Sequence, residues 1–211
     1  MKFFTILITA AIALCFLQSC EMGYIRKNGD WHWVTNDESN GKRSMVIAEA
    51  DEKSFIVLER SQYAKDKNNV YFEGQKIEQA NPNDLQFMGD EKSLYFKDNK
   101  HVFFQNEIIL NADPSTFGVI EFPYSKDKKN IYCGTLPMML TATEVATFKV
   151  TNTDQTMKGT ISTMKAKHFI EFNKAYQWID SLNIAYVITG DWGTAEADGK
   201  KFRGLYQVKT K

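Results

Sequence analysis

The sequence predicts a mainly β fold, built from tandem repeats of about 30 residues and completed by a C-terminal α+β cap. One ten-residue pattern occurs three times, as YAKDKNNVYF from Tyr63, YFKDNKHVFF from Tyr95 and YSKDKKNIYC from Tyr124. In each copy, aromatic and β-branched residues, which favour strands, flank a polar centre rich in the Asp and Asn that favour turns. Each copy therefore predicts two short strands joined by a turn.

The residues after each hairpin extend the copy into a small β-meander. The repeated turn aspartates, Asp66, Asp98 and Asp127, are spaced 32 and 29 residues apart. Such a side chain can accept a backbone N–H two residues on, so an Asx-turn explains the repetition without any ligand. A third short strand is predicted to begin at Ile77, Ile109 and Met138. The apolar face of each meander needs a neighbouring copy to cover it.

A weaker copy precedes the first clear one. The segment EADEKSFIVL (Glu49–Leu58) matches NADPSTFGVI (Asn111–Ile120), and counting back places Trp33 at the position of Tyr63. We therefore expect three to four repeats over residues 31–150.

The motif that carries this pattern stands as DKNNVY, DNKHVF and DKKNIY around the three aspartates. It resembles the DKNYY repeat family of bacterial envelope proteins, over about 120 of the 211 residues. The resemblance implies tandem repeats and an envelope setting, and it implies no particular chemistry.

Residues 151–211 lack the repeat and predict an α+β segment that caps the array. An apolar stripe at helical spacing predicts one amphipathic helix over 164–182, although HFIEF is also compatible with a strand. IAYVITG predicts a strand, and Asp198-Gly199 predicts a hairpin.

The N-terminus predicts a lipid anchor. Residues 1–19 have the proportions of a secretory leader. Leu17-Gln18-Ser19-Cys20 resembles the lipobox of bacterial lipoproteins, which implies cleavage before Cys20 and acylation of its thiol. Residues 20–30 would form a tether. Only Cys133 then remains as a free thiol, so no intrachain disulfide is expected. The predicted location is the bacterial cell envelope, facing the periplasm by default, with exposure at the cell surface left open.

Charge and motif content argue against several function classes. The chain has 26 basic and 26 acidic residues, and removal of the leader leaves 25 − 26 = −1, with no basic excess to suggest nucleic acid. The histidines share no metal-binding spacing, so no metal is expected. S-x-x-K occurs at Ser162–Lys165 without its partner motifs. No catalytic residue and no cofactor are therefore predicted.

The expected function is a non-enzymatic binding or scaffold role through the repeat surface. The partners would be the membrane, through the anchor, and a protein or envelope polymer; the sequence gives no oligomeric state. The candidate binding aromatics are Trp31, Trp33, Tyr71, Phe103 and Tyr132. One alternative is an inhibitor or immunity-type lipoprotein that blocks a toxin or an envelope enzyme. Another is an enzyme centred on the C-terminal segment.

Overall fold

The computed structural model describes residues 22–152, 161–190 and 193–209, which form small antiparallel sheets with few helices. Two compact units divide the chain at residues 76 and 77. The prediction of a mainly β fold of repeated meanders is confirmed. The predicted leader and its acylated cysteine, Cys20, lie outside the described residues.

The first unit contains two sheets whose strands follow each other in chain order. The three-stranded sheet consists of β1 (Gly23–Lys27), β2 (Asp30–Asp37) and β3 (Gly41–Val46). The four-stranded sheet consists of β4 (Ile56–Val57), β5 (Tyr63–Lys65), β6 (Val70–Phe72) and β7 (Gln75–Lys76). All neighbouring strands are antiparallel, as hairpin connections require.

The second unit begins with two more four-stranded meanders. The first consists of β8 (Gln86–Met88), β9 (Tyr95–Lys97), β10 (Val102–Phe104) and β11 (Glu107–Ile108). The second consists of β12 (Gly118–Glu121), β13 (Tyr124–Lys126), β14 (Ile131–Cys133) and β15 (Leu136–Pro137).

The C-terminal part mixes helices with two sheets. Its elements are α1 (Ala142–Thr147), β16 (Lys149–Asn152), β17 (Ser162–Lys165), α2 (Ala166–Phe172), a 3₁₀ segment (Lys174–Leu182), β18 (Tyr186–Thr189), β19 (Thr194–Ala197), β20 (Lys200–Arg203) and β21 (Tyr206–Val208). One sheet has the order β16-β19-β20-β21, and the other pairs β17 with β18. Among the described residues, no helix is long and apolar enough to cross a bilayer.

The prediction of one helix over 164–182 is wrong, because the chain changes direction at Asn173. That residue has φ −124° and ψ 74°, and it separates α2 from the 3₁₀ segment. Phe169 and Ile179 of the predicted stripe remain buried. Phe172, the last residue of α2, is turned outward and is 82 % exposed.

The strand register reveals one repeat unit more than the sequence predicted. In every unit the second and third strands of the meander, or their equivalents, pair a residue with one nine positions later in the chain. These pairs are Tyr24–Trp33, Tyr63–Phe72, Tyr95–Phe104, Tyr124–Cys133 and Thr194–Arg203. The first three pairs are aromatic, with ring centroids 4.8, 4.9 and 4.7 Å apart. We call these five meanders repeat units, to distinguish them from the two compact units, and number them one to five in this order; from here on, a numbered unit is a repeat unit.

The predicted register of the first unit is therefore wrong. Tyr24, and not Trp33, occupies the position of Tyr63, and Trp33 occupies that of Phe72. The long β2–β3 hairpin of this unit adds residues after Trp33, so counting back from later copies gives the wrong offset. The predicted tether over 20–30 is wrong from Gly23 onward, because β1 pairs with β2 there.

The fifth unit is interrupted by an insertion. Its first strand, β16, ends at Asn152, and its second strand, β19, begins only at Thr194. A backbone hydrogen bond nevertheless links Gly204 to Gly193, with the same eleven-residue spacing as Glu73 to Gln62 and its equivalents in units three and four. The hairpin geometry of the repeat is thus kept, although its Asp is replaced by Ala197.

The insertion packs against the fourth unit. The backbone N–H of Thr135 donates to the Ile188 carbonyl at 2.9 Å, and Ile188 N–H donates to Thr135 Oγ1 at 2.9 Å. Gly134 has φ +61°, and a Cβ there would lie 2.1 Å from the Ile188 carbonyl oxygen. The Tyr176 hydroxyl donates to the Pro137 carbonyl at 2.8 Å. The buried core of this region therefore combines repeat and insertion residues.

The repeated aspartates do more than close their turns. Asp127 Oδ1 accepts the N–H groups of Lys129 and Asn130, both at 2.7 Å, which forms the predicted Asx-turn. Its Oδ2 accepts the N–H of Asp113, in the preceding linker, at 3.0 Å and the Tyr132 hydroxyl at 2.6 Å. Asp66 accepts from the four equivalent groups of its own unit, and Asp98 accepts from the three equivalent backbone N–H groups.

These contacts set the ionisation of the buried carboxylates. Burial by itself would raise the pKa of Asp127, but the Tyr132 hydroxyl and the backbone N–H groups outweigh it and hold that pKa below its usual range. Asp66 has a lowered pKa for the same balance of causes. The stabilisation from both is present above the unfolded-state pKa of about 3.9 and is lost as the pH falls through the lowered folded value.

We predict that Tyr132→Phe lowers the free energy of unfolding by about 1–3 kcal/mol, because a buried carboxylate loses one donor. Tyr206→Phe is the control: its hydroxyl bonds to Asn173 on the surface, and its loss should cost less than about 0.5 kcal/mol. Urea unfolding of the three proteins measures both values. Equal, small effects would show that the hydroxyl does not support Asp127.

A second prediction concerns Glu107, whose carboxylate has no hydrogen-bond or ion-pair partner among the described residues. Burial opposite Phe104 raises the pKa of Glu107 to about 7. The stabilisation from its proton is present below the unfolded pKa of about 4.3 and is lost as the pH rises through 7. Between pH 5 and pH 8, the free energy of unfolding of the natural protein should therefore fall by about 1–2 kcal/mol, and Glu107→Gln should remove this fall. The fall is modest because the side chain is partly solvated.

Unfolding free energies at several pH values measure this difference. Glu91→Gln, at an exposed position of the same unit, is the matched control and should keep the decrease. An unchanged pH profile in Glu107→Gln would contradict the raised pKa.

Candidate functional site

Three of the five predicted binding aromatics are buried, and the prediction is wrong for them. Tyr71, Phe103 and Tyr132 are 1 %, 0 % and 0 % exposed. Tyr71 and Tyr132 hold the repeat aspartates, and Phe103 stacks on Phe96 at 4.6 Å between ring centroids. Alternation along a strand identifies the residues of one face, but only the neighbouring unit determines which face is covered. These aromatics are structural.

The other two predicted aromatics are partly buried within the first compact unit, which ends at Lys76. Trp31 stacks on Phe55, with ring centroids 4.5 Å apart, so one of its faces is occupied. Trp33 lies against Tyr24 and packs closely over Gly74, where a Cβ would come within 2.5 Å of it. A binding role for their remaining exposed surface stays a prediction.

The candidate catalytic and metal-binding residues are not brought together. His32 lies in β2, His101 in the turn between β9 and β10, and His168 in α2. No group of three His, Cys, Asp or Glu side chains within the described ranges could hold a metal. Ser162 and Lys165 are the ends of strand β17, so their side chains point to opposite faces of the strand. This arrangement does not form a Ser–Lys pair.

An open polar groove lies at the third repeat unit. It has a volume of about 710 Å³. Its floor is the hairpin turn of the third unit, residues 97–100, and its walls are the linkers 83–86 and 113–115. The repeat architecture forms the groove directly, because each Asp fixes its own turn to the preceding linker.

The groove presents polar side chains that no other described residue engages. These are Asn83, Gln86, Asn99 and Lys100. The three carboxylates that line the groove are already hydrogen-bonded. Asp84 accepts from the Asn81 amide, Asp98 accepts backbone N–H groups, and Asp113 accepts from Ser115 and Thr116. Lys97 Nζ donates to the Pro114 carbonyl at 2.7 Å. Free amides and one free cation are suited to hydrogen bonds with an extended polar ligand.

Among the described residues, the most exposed aromatic side chains lie on the C-terminal part, and they were not among the predicted binding residues. Phe172 is 82 % and Tyr206 is 55 % exposed. The two are close together, because the Tyr206 hydroxyl donates to Oδ1 of Asn173, next to Phe172, at 3.0 Å. Phe172 fits the predicted apolar stripe, so only the break at Asn173 reveals its exposure.

The comparisons with known proteins agree with the repeat architecture. The model of the DKNYY family matches residues 37–171 and, again, residues 95–207. The two overlapping matches together span 171 of the 211 residues and include the interrupted fifth unit. Neither the curated proteins nor the solved structures include a significant match. The chain belongs to the DKNYY family.

Proposed function

We propose that this protein is a non-enzymatic, lipid-anchored binding or scaffold module of the bacterial cell envelope. Its repeat surface would contact a protein or an envelope polymer, and acyl chains on Cys20 would hold it at the membrane. The leader-like residues 1–19 and the lipobox-like sequence before Cys20 support the anchor.

The polar groove is the observation that carries the binding role. Its open shape leaves room for a chain-like ligand, and its four unengaged side chains, Asn83, Gln86, Asn99 and Lys100, offer both hydrogen-bond donors and acceptors. The repeat aspartates and tyrosines, in contrast, are used within the fold. The binding specificity would then come from the residues that differ between units.

Crosslinking in living cells, through the native lipid-anchored form, tests this proposal. We expect affinity capture and mass spectrometry to recover an envelope protein or polymer fragments crosslinked near the groove. Recovery of neither, with crosslinkers placed at Gln86 and Asn99, would contradict the proposal.

A groove variant makes the test specific. Asn83→Ala combined with Asn99→Ala should reduce the captured partner several-fold, because each lost hydrogen bond contributes about 0.5–1.5 kcal/mol. Gln207→Ala, an exposed amide outside the groove, is the matched control and should leave capture unchanged. Equal capture by both variants would place the contact elsewhere on the protein.

The second candidate is an inhibitor or immunity-type lipoprotein, and the exposure of Phe172 favours it. Aromatic side chains that insert into a partner's pocket often dominate protein–protein affinity. Phe172 stands at the end of α2, inside the insertion, and the Tyr206–Asn173 hydrogen bond braces the residue that follows it.

Phe172→Ala separates the two candidates. If the protein is an inhibitor, capture should yield one dominant stoichiometric protein, and this variant should weaken it by about 2 kcal/mol or more. Leu182→Ala, also an exposed apolar residue of the insertion, is the control and should retain capture. A partner that is insensitive to Phe172→Ala would argue against the inhibitor and for the groove.

A further inference from the structure

We propose that the tip of the β2–β3 hairpin, residues 35–43, rests on the headgroup layer of the membrane that holds the acyl chains. This inference depends on the lipid anchor of the proposed function. It adds a second, non-covalent contact between this chain and the bilayer, and it assigns that contact to one end of the first sheet.

The short distance between the anchor and the fold is the first argument. Only Glu21 and Met22 separate Cys20 from Gly23, the first residue of β1. Fully extended, the three steps from Cys20 to Gly23 span at most about 11 Å. The anchor therefore holds this end of the first sheet close to the bilayer.

The sheet register supplies the second argument. Gly23 pairs with Val34, and Val34 pairs with Ser44, so β1 begins at this level of the sheet. The other two strands continue past it, through the pairs Thr35–Arg43, Asn36–Lys42 and Asp37–Gly41. These three further residues of β2 reach about 10 Å beyond Gly23. The hairpin tip thus extends as far as the chain that leads back to Cys20.

The chemistry of the tip suits phosphate-bearing headgroups. Strand β3 is exposed along its length and carries Lys42 and Arg43 at the tip. Asp37, on the opposite strand, is engaged in the turn: it accepts from Ser39 N–H at 2.7 Å and from the Asn40 amide at 3.1 Å. Those hydrogen bonds, chiefly that of the Asn40 side chain, lower the pKa of Asp37.

The position of the tip beside the anchor, and not its net charge, brings it to the bilayer. The tip has two carboxylates, Asp37 and Glu38, and two cations, so its net charge is zero. The attraction of Lys42 and Arg43 to anionic headgroups is therefore offset by the repulsion of the two carboxylates. The exposed Met22, just before β1, adds apolar surface beside the anchor.

Lipid-headgroup quenching of a fluorescent label tests the contact in the full-length lipidated protein. Cys133 is buried, so one introduced cysteine gives a single labelled surface site. Ser39→Cys labels the tip, and Asp30→Cys labels the other end of β2, eight or nine residue steps and roughly 30 Å away. The vesicles contain phosphatidylethanolamine, phosphatidylglycerol and a headgroup-nitroxide lipid.

We expect quenching of the Ser39→Cys label to exceed that of the Asp30→Cys label about threefold or more, given the roughly 30 Å between them. A flexible Gly/Ser linker inserted between Glu21 and Met22 should reduce this difference. Equal quenching of the two labels without the linker would overturn the inference, and so would concentration-dependent shielding of Ser39 without vesicles, which would indicate a second copy. Failure of the protein to float with vesicles would instead refute the lipid anchor.

Discussion

A buried carboxylate at the turns of units two, three and four is the constraint on which the rest of the structure depends. An unpaired charge away from water is costly, so every such Asp needs donors around it. Asp127 obtains two from its own turn, one from the preceding linker and one from a tyrosine on the neighbouring strand. Turn, linker and strand are therefore fixed to one another by one side chain, and this explains why the motif spans several positions.

The units differ where this network can be relaxed. In the third unit Phe103 replaces the tyrosine, and its ring stacks on Phe96 instead of donating to Asp98. In the fourth unit Cys133 replaces the aromatic partner of Tyr124, and its thiol lies 3.2 Å from the Gly190 carbonyl of the insertion. The smaller side chain leaves room for the insertion to approach. Sequence changes in the repeat thus coincide with changes in what each unit contacts.

The sequence predicts the local features well because their signals are local. Tyr, Asp and β-branched residues within ten positions are enough to predict the hairpins of units two, three and four, and Asp198-Gly199 predicts the hairpin of unit five. The fifth unit escapes prediction because Thr194 and Ala197 replace the signature residues and an insertion separates its first two strands. The burial of Tyr71 and Tyr132 escapes it because neighbouring units, not strand alternation, decide which face is covered.

The fifth unit differs from the earlier units in the polarity of one face. On its two central strands, Thr194 and Arg203 stand where the first three units have an aromatic pair, and Glu196 pairs with Lys201 beside them. A polar face of this kind does not require another unit to cover it. The insertion within the same unit covers the fourth unit and exposes Phe172. The same insertion therefore completes the buried core around the fourth unit and presents a new exposed surface, so its core-facing residues are constrained by packing whereas Phe172 is not.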